Sequence, residues 1–294
     1  MHTSLRVVRP PIRFRATSNR MLMVMLFLIV SLMMTGCTSG RIDIITARDS
    51  VRTPETFDHA AFDRILAAHV NDAGLMDYAG LKASGALSDY LLAIAETDPA
   101  RMNDQDALAF WINAYNALTM KLIVDNYPTK SILRLAPAGI KGIPFIIPKV
   151  NTPFKVKVGQ VGGVTRTLDE IEHAIIRPTF AEPRIHFALV CAAMSCPPLR
   201  AEAYTGARLD AQLDDQGRVF LSDSTKNRVP YDGDTIQLSK IFTWFESDFG
   251  GSEEAVQRFI ARYAEGEVKA KLEAGGYRIE SAGYDWTLND SATR

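Results

Sequence analysis

The run Asp106–Asn126, DALAFWINAYNALTMKLIVDN, decides the fold. Trp111, Tyr115, Leu118 and Leu122 make one helical stripe, and Phe110, Ile112, Ala117, Met120, Ile123 and Val124 cover the other sides. A helix that is apolar all round is buried on all sides. The run therefore predicts a central core helix. Tyr127-Pro128 closes it, because the residue before a proline avoids the helical region. Asn113 and Asn116 lie three apart within it and so share a face. Buried amides need partners, so both must bond to other parts of the chain.

Outward from this helix, short elements of both kinds are expected. On the N-terminal side, Phe62, Ile65, Leu66, His69 and Val70 fall at helical spacing within Phe57–Val70, ended by the turn Asn71-Asp72-Ala73-Gly74. A second amphipathic stretch covers Ser84–Ala95. On the C-terminal side, residues 128–152 read as a long loop. Phe154–Val158 and Val161–Thr165 read as a hairpin around Gly159. Thr167-Leu168-Asp169-Glu170 is a capping box that opens a helix from Leu168 to Arg177, stopped by Pro178. Arg184–Val190 is apolar on both faces apart from His186 and predicts a central strand, with a loop from Cys191 to Pro198 after it. Leu209–Leu221, Lys240–Phe249 and Glu253–Ala264 predict helices. Asn227–Ser239 predicts a hairpin around Asp232-Gly233-Asp234, and Tyr284–Asn289 a last strand docked on the core. Without regular βαβα alternation, this predicts an α+β class, a single mixed helix/sheet domain around a buried central helix.

The N-terminus has a different character. Met21–Met34, MLMVMLFLIVSLMM, follows five arginines and ends at Thr35-Gly36-Cys37, the layout of a secretory signal. Fourteen residues rise about 21 Å as a helix, short of the roughly 30 Å hydrocarbon core, so the run is a poor permanent anchor. Met34-Thr35-Gly36-Cys37 resembles the lipobox of bacterial lipoproteins. That resemblance implies cleavage before Cys37, lipid (palmitate among the acyl groups) on Cys37, and, with Thr38 rather than Asp next, the periplasmic face of the outer membrane. The expected organisation is a signal peptide over 1–36, a lipidated Cys and linker over 37–55, and one domain over 56–294.

Composition narrows the partners. Residues 1–36 hold no acidic side chain and five of the 33 basic ones, so the rest carries 28 basic against 34 acidic. A body of net charge −6 repels phosphate backbones, which argues against a nucleic-acid partner. Gly162-Gly163 is too short for a phosphate loop, and no cofactor motif is legible. The expected partners are the membrane, through lipid on Cys37, and an envelope protein or peptide-like ligand; the sequence leaves the oligomeric state open.

Four blocks in order resemble the bacterial and plant family known as domain of unknown function 547. They are Phe110–Ala117 (FWINAYNA), Leu168–His173 (LDEIEH), Arg184–Cys191 (RIHFALVC) running on to Ser195-Cys196-Pro197-Pro198, and Tyr284–Asn289 (YDWTLN). The resemblance spans roughly residues 100–290. It implies no established activity. A more distant similarity, to the papain/transglutaminase-like fold, implies a buried helix packed on a small sheet.

Chemistry, if present, centres on Glu172, His173, His186, Cys191 and Cys196, with Asn113, Asn116 and Asp285 as polar neighbours. His59 and His69 read as packing or surface residues, and Trp111, Trp244 and Trp286 as core anchors. One reading is a thiol-dependent acyl-transfer site, with Cys196 or Cys191 as nucleophile and His186 or His173 as base. An extended strand would set His186 and Cys191 on opposite faces about 16 Å apart, which favours Cys196. Papain-like enzymes place the nucleophile before the His, at the buried helix; here that helix offers only Asn113 and Asn116. A second reading takes His173, His186, Cys191 and Cys196 as zinc ligands. The third joins Cys191 and Cys196 in a local disulfide, as an oxidising compartment favours. The balance falls to a non-catalytic binding or scaffold protein with a disulfide, no metal and no cofactor.

Overall fold

Asn103 opens the central helix by accepting a hydrogen bond from the Asp106 amide. The structure is a computed structural model that describes residues 55–135, 152–230 and 232–293. The expected signal, Cys37 and the linker up to residue 54 lie outside the described residues, as does most of the long loop before residue 152. Among the described residues, three α-helices, α1 (Ala60–His69), α2 (Tyr78–Ser84) and α3 (Leu87–Glu96), precede the central helix, α4 (Asp104–Asp125). At 22 residues, α4 is long and apolar enough to cross a membrane, yet 89% of its apolar stretch is buried inside the protein. It is a core helix, as its all-round apolarity predicts. The helix expected over Ser84–Ala95 is α3, which starts at Leu87; Ser84 is the last residue of α2. Gly85 adopts φ +64°, a left-handed conformation that ends α2 at low steric cost.

The next elements correct the expected hairpin. β1 (Gly159–Val161) and β2 (Val164–Arg166) pair antiparallel, with Val161 opposite Val164, so the turn is Gly162-Gly163 and not Gly159. Both turn residues have positive φ, +59° and +73°, which a tight two-residue hairpin needs and paired glycines supply. The capping box forms as read: the Thr167 amide donates to Glu170 Oε2 and the Glu170 amide to Thr167 Oγ1, each at 2.9 Å. The helix it opens is π-wound over Glu170–Ile176 and runs into α5 (Arg177–Phe180). Pro178 does not stop it. The helical backbone continues past it to Phe180, and the chain leaves the helix at Ala181, φ +45°.

Arg184–Val190 is not a strand. α6 (Ile185–Ala188) is one helical turn, in which the Ile185, His186, Phe187 and Leu189 amides all bond locally, to Glu182, Pro183, Arg184 and Ile185 carbonyls. A short apolar run enclosed on every side has no periodicity to separate strand from helix. α7 (Leu209–Ser222), β3 (Thr235–Leu238), α8 (Lys240–Trp244), α9 (Glu253–Ile260), α10 (Gly266–Glu273) and β4 (Arg278–Ser281) complete the chain. β3 pairs parallel with β4. The hairpin expected over Asn227–Ser239 reduces to one bridge, Arg228 with Gln237. The Tyr284–Asn289 segment docks as expected, through the Ala193–Leu288 bridge, but forms no strand.

The α+β class holds: among the described residues, a helix-rich domain with two separate two-stranded sheets. The papain-like likeness is not confirmed. Two apolar clusters share the interior. The larger surrounds α4; the smaller gathers Phe187, Phe220, Phe242, Phe249 and Phe259. α6 lies where they meet, with Ile185 and Ala188 in the first cluster and Phe187 in the second.

Candidate functional site

The two buried asparagines of α4 place the site. Asn116 Nδ2 donates to the Ala188 carbonyl and its Oδ1 accepts from the Val190 amide, both at 3.0 Å. Asn113 does the same to Tyr204, at 2.7 and 3.0 Å. Each amide thus satisfies donor and acceptor on backbone that has no ladder of its own. Asn116 fixes the exit of α6, and with it the direction in which Cys191 leaves.

Past Cys191 the chain reverses through Ala192, φ +59°. The Cys loop is then stitched to the C-terminal segment. Met194 N donates to Thr287 O, Ser195 N to Asp285 O, and Asn289 N to Ala192 O. Asp285 Oδ1 accepts from the Thr287 amide, and the Asn289 side chain accepts from Tyr78 Oη. Cys191 and Cys196 are joined in a disulfide. Tyr284 Oη lies 3.2 Å from Cys191 Sγ and 3.3 Å from Cys196 Sγ, and the Cys191 amide points at Cys196 Sγ from 3.1 Å.

His186 projects from α6 with its side chain only 1% exposed. Its Nε2 lies 2.8 Å from Asp248 Oδ2, and its Nδ1 3.8 Å from Glu172 Oε1. The Phe245 ring stacks on it at 3.8 Å. Asp248 also takes two bonds from Arg177, Nε at 2.6 Å and a terminal nitrogen at 2.7 Å. Those Arg177 bonds hold the Asp248 carboxyl well below the usual carboxylate range. Asp248 is therefore the acceptor, and His186 Nε2 carries the proton. Burial lowers the His186 pKa to about 4 despite Asp248, so the imidazole is neutral near pH 7. Glu172 is the converse case. Burial raises its pKa to about 7, although Tyr115 bonds to its carboxylate. Its carboxyl therefore bears a proton part of the time at neutral pH.

Of these groups, Glu172, His186, Tyr115 and Phe245 border one cleft of about 590 Å³ at the junction of the two clusters. Phe154, Trp244, Phe245, Tyr284 and Trp286 form an aromatic side; Glu172, His173, Asp169 and the disulfide lie around it. Trp244 stacks at 5.9 Å on Trp286 yet is 47% exposed. The expectation of three core anchors therefore holds for Trp111, which is buried in the main cluster, and fails for Trp244, which lines open space.

All five sequence-selected residues, Cys191, Cys196, His186, His173 and Glu172, border this cleft. The placement of His186 and Cys191 on opposite faces of a strand is overturned, because a helical turn replaces the strand. No sulfur is among the atoms bonded to the His186 ring nitrogens. His173 Nδ1 lies 3.1 Å from an Arg177 nitrogen, so Arg177 bonds to both His173 and Asp248. The zinc reading loses both thiolates to the bridge, and among the described residues no group of three or more His, Cys, Asp or Glu is placed to hold a metal. Asp285 borders a separate cavity, beyond Cys196. His59 is a packing residue as read, with Nδ1 2.9 Å from Tyr90 Oη.

Sequence reading missed Asp248, Arg177, Tyr115 and Tyr284. Arg177 lies four residues after His173 on one helical face, a spacing that could have been read. Asp248 is 62 residues from His186, and no local pattern announces it.

Residues 99–221 match the family model described as "Protein of unknown function, DUF547". The match runs from just before α4 to α7 and contains three of the four sequence blocks; Tyr284–Asn289 lies outside it. No curated protein and no solved structure gives a match.

Proposed function

We propose that this chain, a member of the DUF547 family of proteins of unknown function, is an exported lipoprotein that binds a peptide-like ligand in the cleft beside the disulfide. In this reading Cys37 carries the lipid and the domain faces the periplasm from the outer membrane. One observation carries the binding reading. A roughly half-exposed Trp244, with Trp286 and Tyr284 packed on it, lines the same cleft as Glu172, a carboxyl that can both donate and accept near neutral pH. Aromatic faces bind apolar or planar side chains, and a few convergent polar groups fix orientation.

The bridge supports binding over acyl transfer. A thiol nucleophile must be free and within reach of a base. Here the two sulfurs are bonded to each other, and His186 donates to Asp248.

The test is a titration of the full-length protein, in detergent micelles, with a library of short acetylated peptides, followed by tryptophan fluorescence. Saturable quenching that weakens in Trp244→Ala, with a lower fitted affinity, supports the reading. Equal responses in both proteins overturn it. For the anchor, the protein should incorporate radiolabelled palmitate, and Cys37→Ser should abolish incorporation and release the protein from membranes. A Cys37→Ser protein that stays membrane-bound sinks the lipid assignment.

A further inference from the structure

The two sulfurs are not equivalent. Both cysteines border the cleft, but Cys191 is partly exposed and Cys196 only 2% exposed. The buried sulfur has two donors aimed at it, the Cys191 N–H at 3.1 Å and the Tyr284 O–H at 3.3 Å. The same hydroxyl is 3.2 Å from Cys191 Sγ. A bridge that only staples a loop needs none of this: a disulfide sulfur is a weak acceptor, and a thiolate is a strong one. The donors suit the state in which the bond has opened.

We propose that Cys191–Cys196 is an exchange-active disulfide that oxidises cysteine-containing peptides entering the cleft. This deepens the binding reading and rests on it for the substrate class. A peptide thiolate, its proton released to solvent, attacks the accessible Cys191 Sγ. The Sγ–Sγ bond breaks, and its electron pair leaves on Cys196 Sγ, into the two waiting donors. A second peptide thiolate attacks the peptide sulfur of the mixed disulfide and expels the Cys191 thiolate, which Tyr284 also reaches. The peptide dithiol has then lost two electrons and two protons. The protein pair has gained both, as two thiols. A low-molecular-weight disulfide restores the bridge by the reverse steps. Exchange of this kind depends on access to the attacked sulfur and on how well the leaving thiolate is held. Burial keeps the proton on the Tyr284 hydroxyl, which leaves it a donor throughout.

The experiment uses the oxidised full-length protein in detergent micelles and two synthetic dodecapeptides, one with two cysteines and a twin with serines in their place. Acid-quenched samples are mapped by mass spectrometry. The expected result is transfer of the disulfide to the cysteine peptide through an adduct on Cys191. In Cys196→Ser, presented with the same peptide in its disulfide form, that adduct should accumulate. Tyr284→Phe keeps the bridge, so it tests the site even if Cys196→Ser fails to fold. Loss of one hydrogen bond to the leaving thiolate should slow transfer roughly tenfold. No transfer to the cysteine peptide while the serine twin binds overturns this proposal and leaves the binding reading standing. Adducts on Cys196 instead, or an unchanged rate in Tyr284→Phe, overturn the proposed roles. If the serine twin does not bind and no disulfide moves, both proposals fall.

Discussion

Asn113 and Asn116, one turn apart on the same face of α4, each clasp the backbone of a different segment: Tyr204 for Asn113, Ala188 and Val190 for Asn116. The helix that forms the core thereby also sets the geometry of the cleft. Val190 leads directly into Cys191, so a change in the core at Asn116 reaches the disulfide through two bonds.

Asn116→Ala should therefore cost more than its size suggests. It leaves a buried carbonyl and a buried amide without partners, a loss of roughly 2–4 kcal/mol. Urea denaturation gives the total. Native-state hydrogen exchange gives the location, because the Val190 amide should lose protection before the amides of α4 do. A variant within experimental error of the parent on both measurements contradicts the clasp.

Asp248 joins Arg177 to His186, and its removal strands both. Asp248→Ala should destabilise by about 2–4 kcal/mol, since a half-buried guanidinium and an enclosed imidazole each lose their acceptor. Asp248→Asn keeps one acceptor oxygen and should lose less. The ranking Ala below Asn below parent, read from thermal midpoints, checks the arrangement.

Glu172 should leave a signature in the pH dependence of stability. Its folded pKa, about 7, stands above its ordinary value of 4.5, so the folded protein holds this proton more tightly than the unfolded chain. That contribution is complete below pH 4.5 and is lost as pH rises through 7. Glu172→Gln should equal the parent near pH 4 and exceed it at pH 8 by roughly 1–3 kcal/mol. His186 runs the other way. Its folded pKa, about 4, lies below 6.5, so its share is present above pH 6.5 and is lost as pH falls through 4. It acts in both proteins and cancels in the comparison. A parent-to-variant gap that does not change with pH refutes the buried, proton-bearing carboxyl.

Trp244 separates packing from binding. Its side chain is 47% exposed, so Trp244→Ala should change stability by no more than about 1 kcal/mol. Peptide affinity should fall roughly three- to tenfold, the worth of one aromatic contact. A large loss of stability with affinity intact would instead make Trp244 a structural anchor.

The sequence was most informative where the signal is local or compositional. The all-round apolarity of 106–126 announced a core helix, and the Thr167–Glu170 spacing announced a cap. It misled where two structures share one pattern. Arg184–Val190 is apolar throughout, so strand and helical turn were indistinguishable, and the error carried over to the distance assigned between His186 and Cys191. The cysteine pair was legible as a candidate bridge from the oxidising compartment that an export signal implies.

By itself, then, the sequence determined an α+β domain built on one buried helix, two amides that had to find partners inside it, and the residues with enough chemistry to matter. Only the tertiary structure decided what those residues do to one another. Asp248 reaches His186 across 62 residues, and Tyr284 reaches Cys191 across 93. Such contacts are set by where the chain returns after two clusters of side chains have packed, and no periodicity along the chain encodes that return. The raised Glu172 pKa has the same origin, since burial acts on a carboxyl only after distant parts of the chain have closed over it.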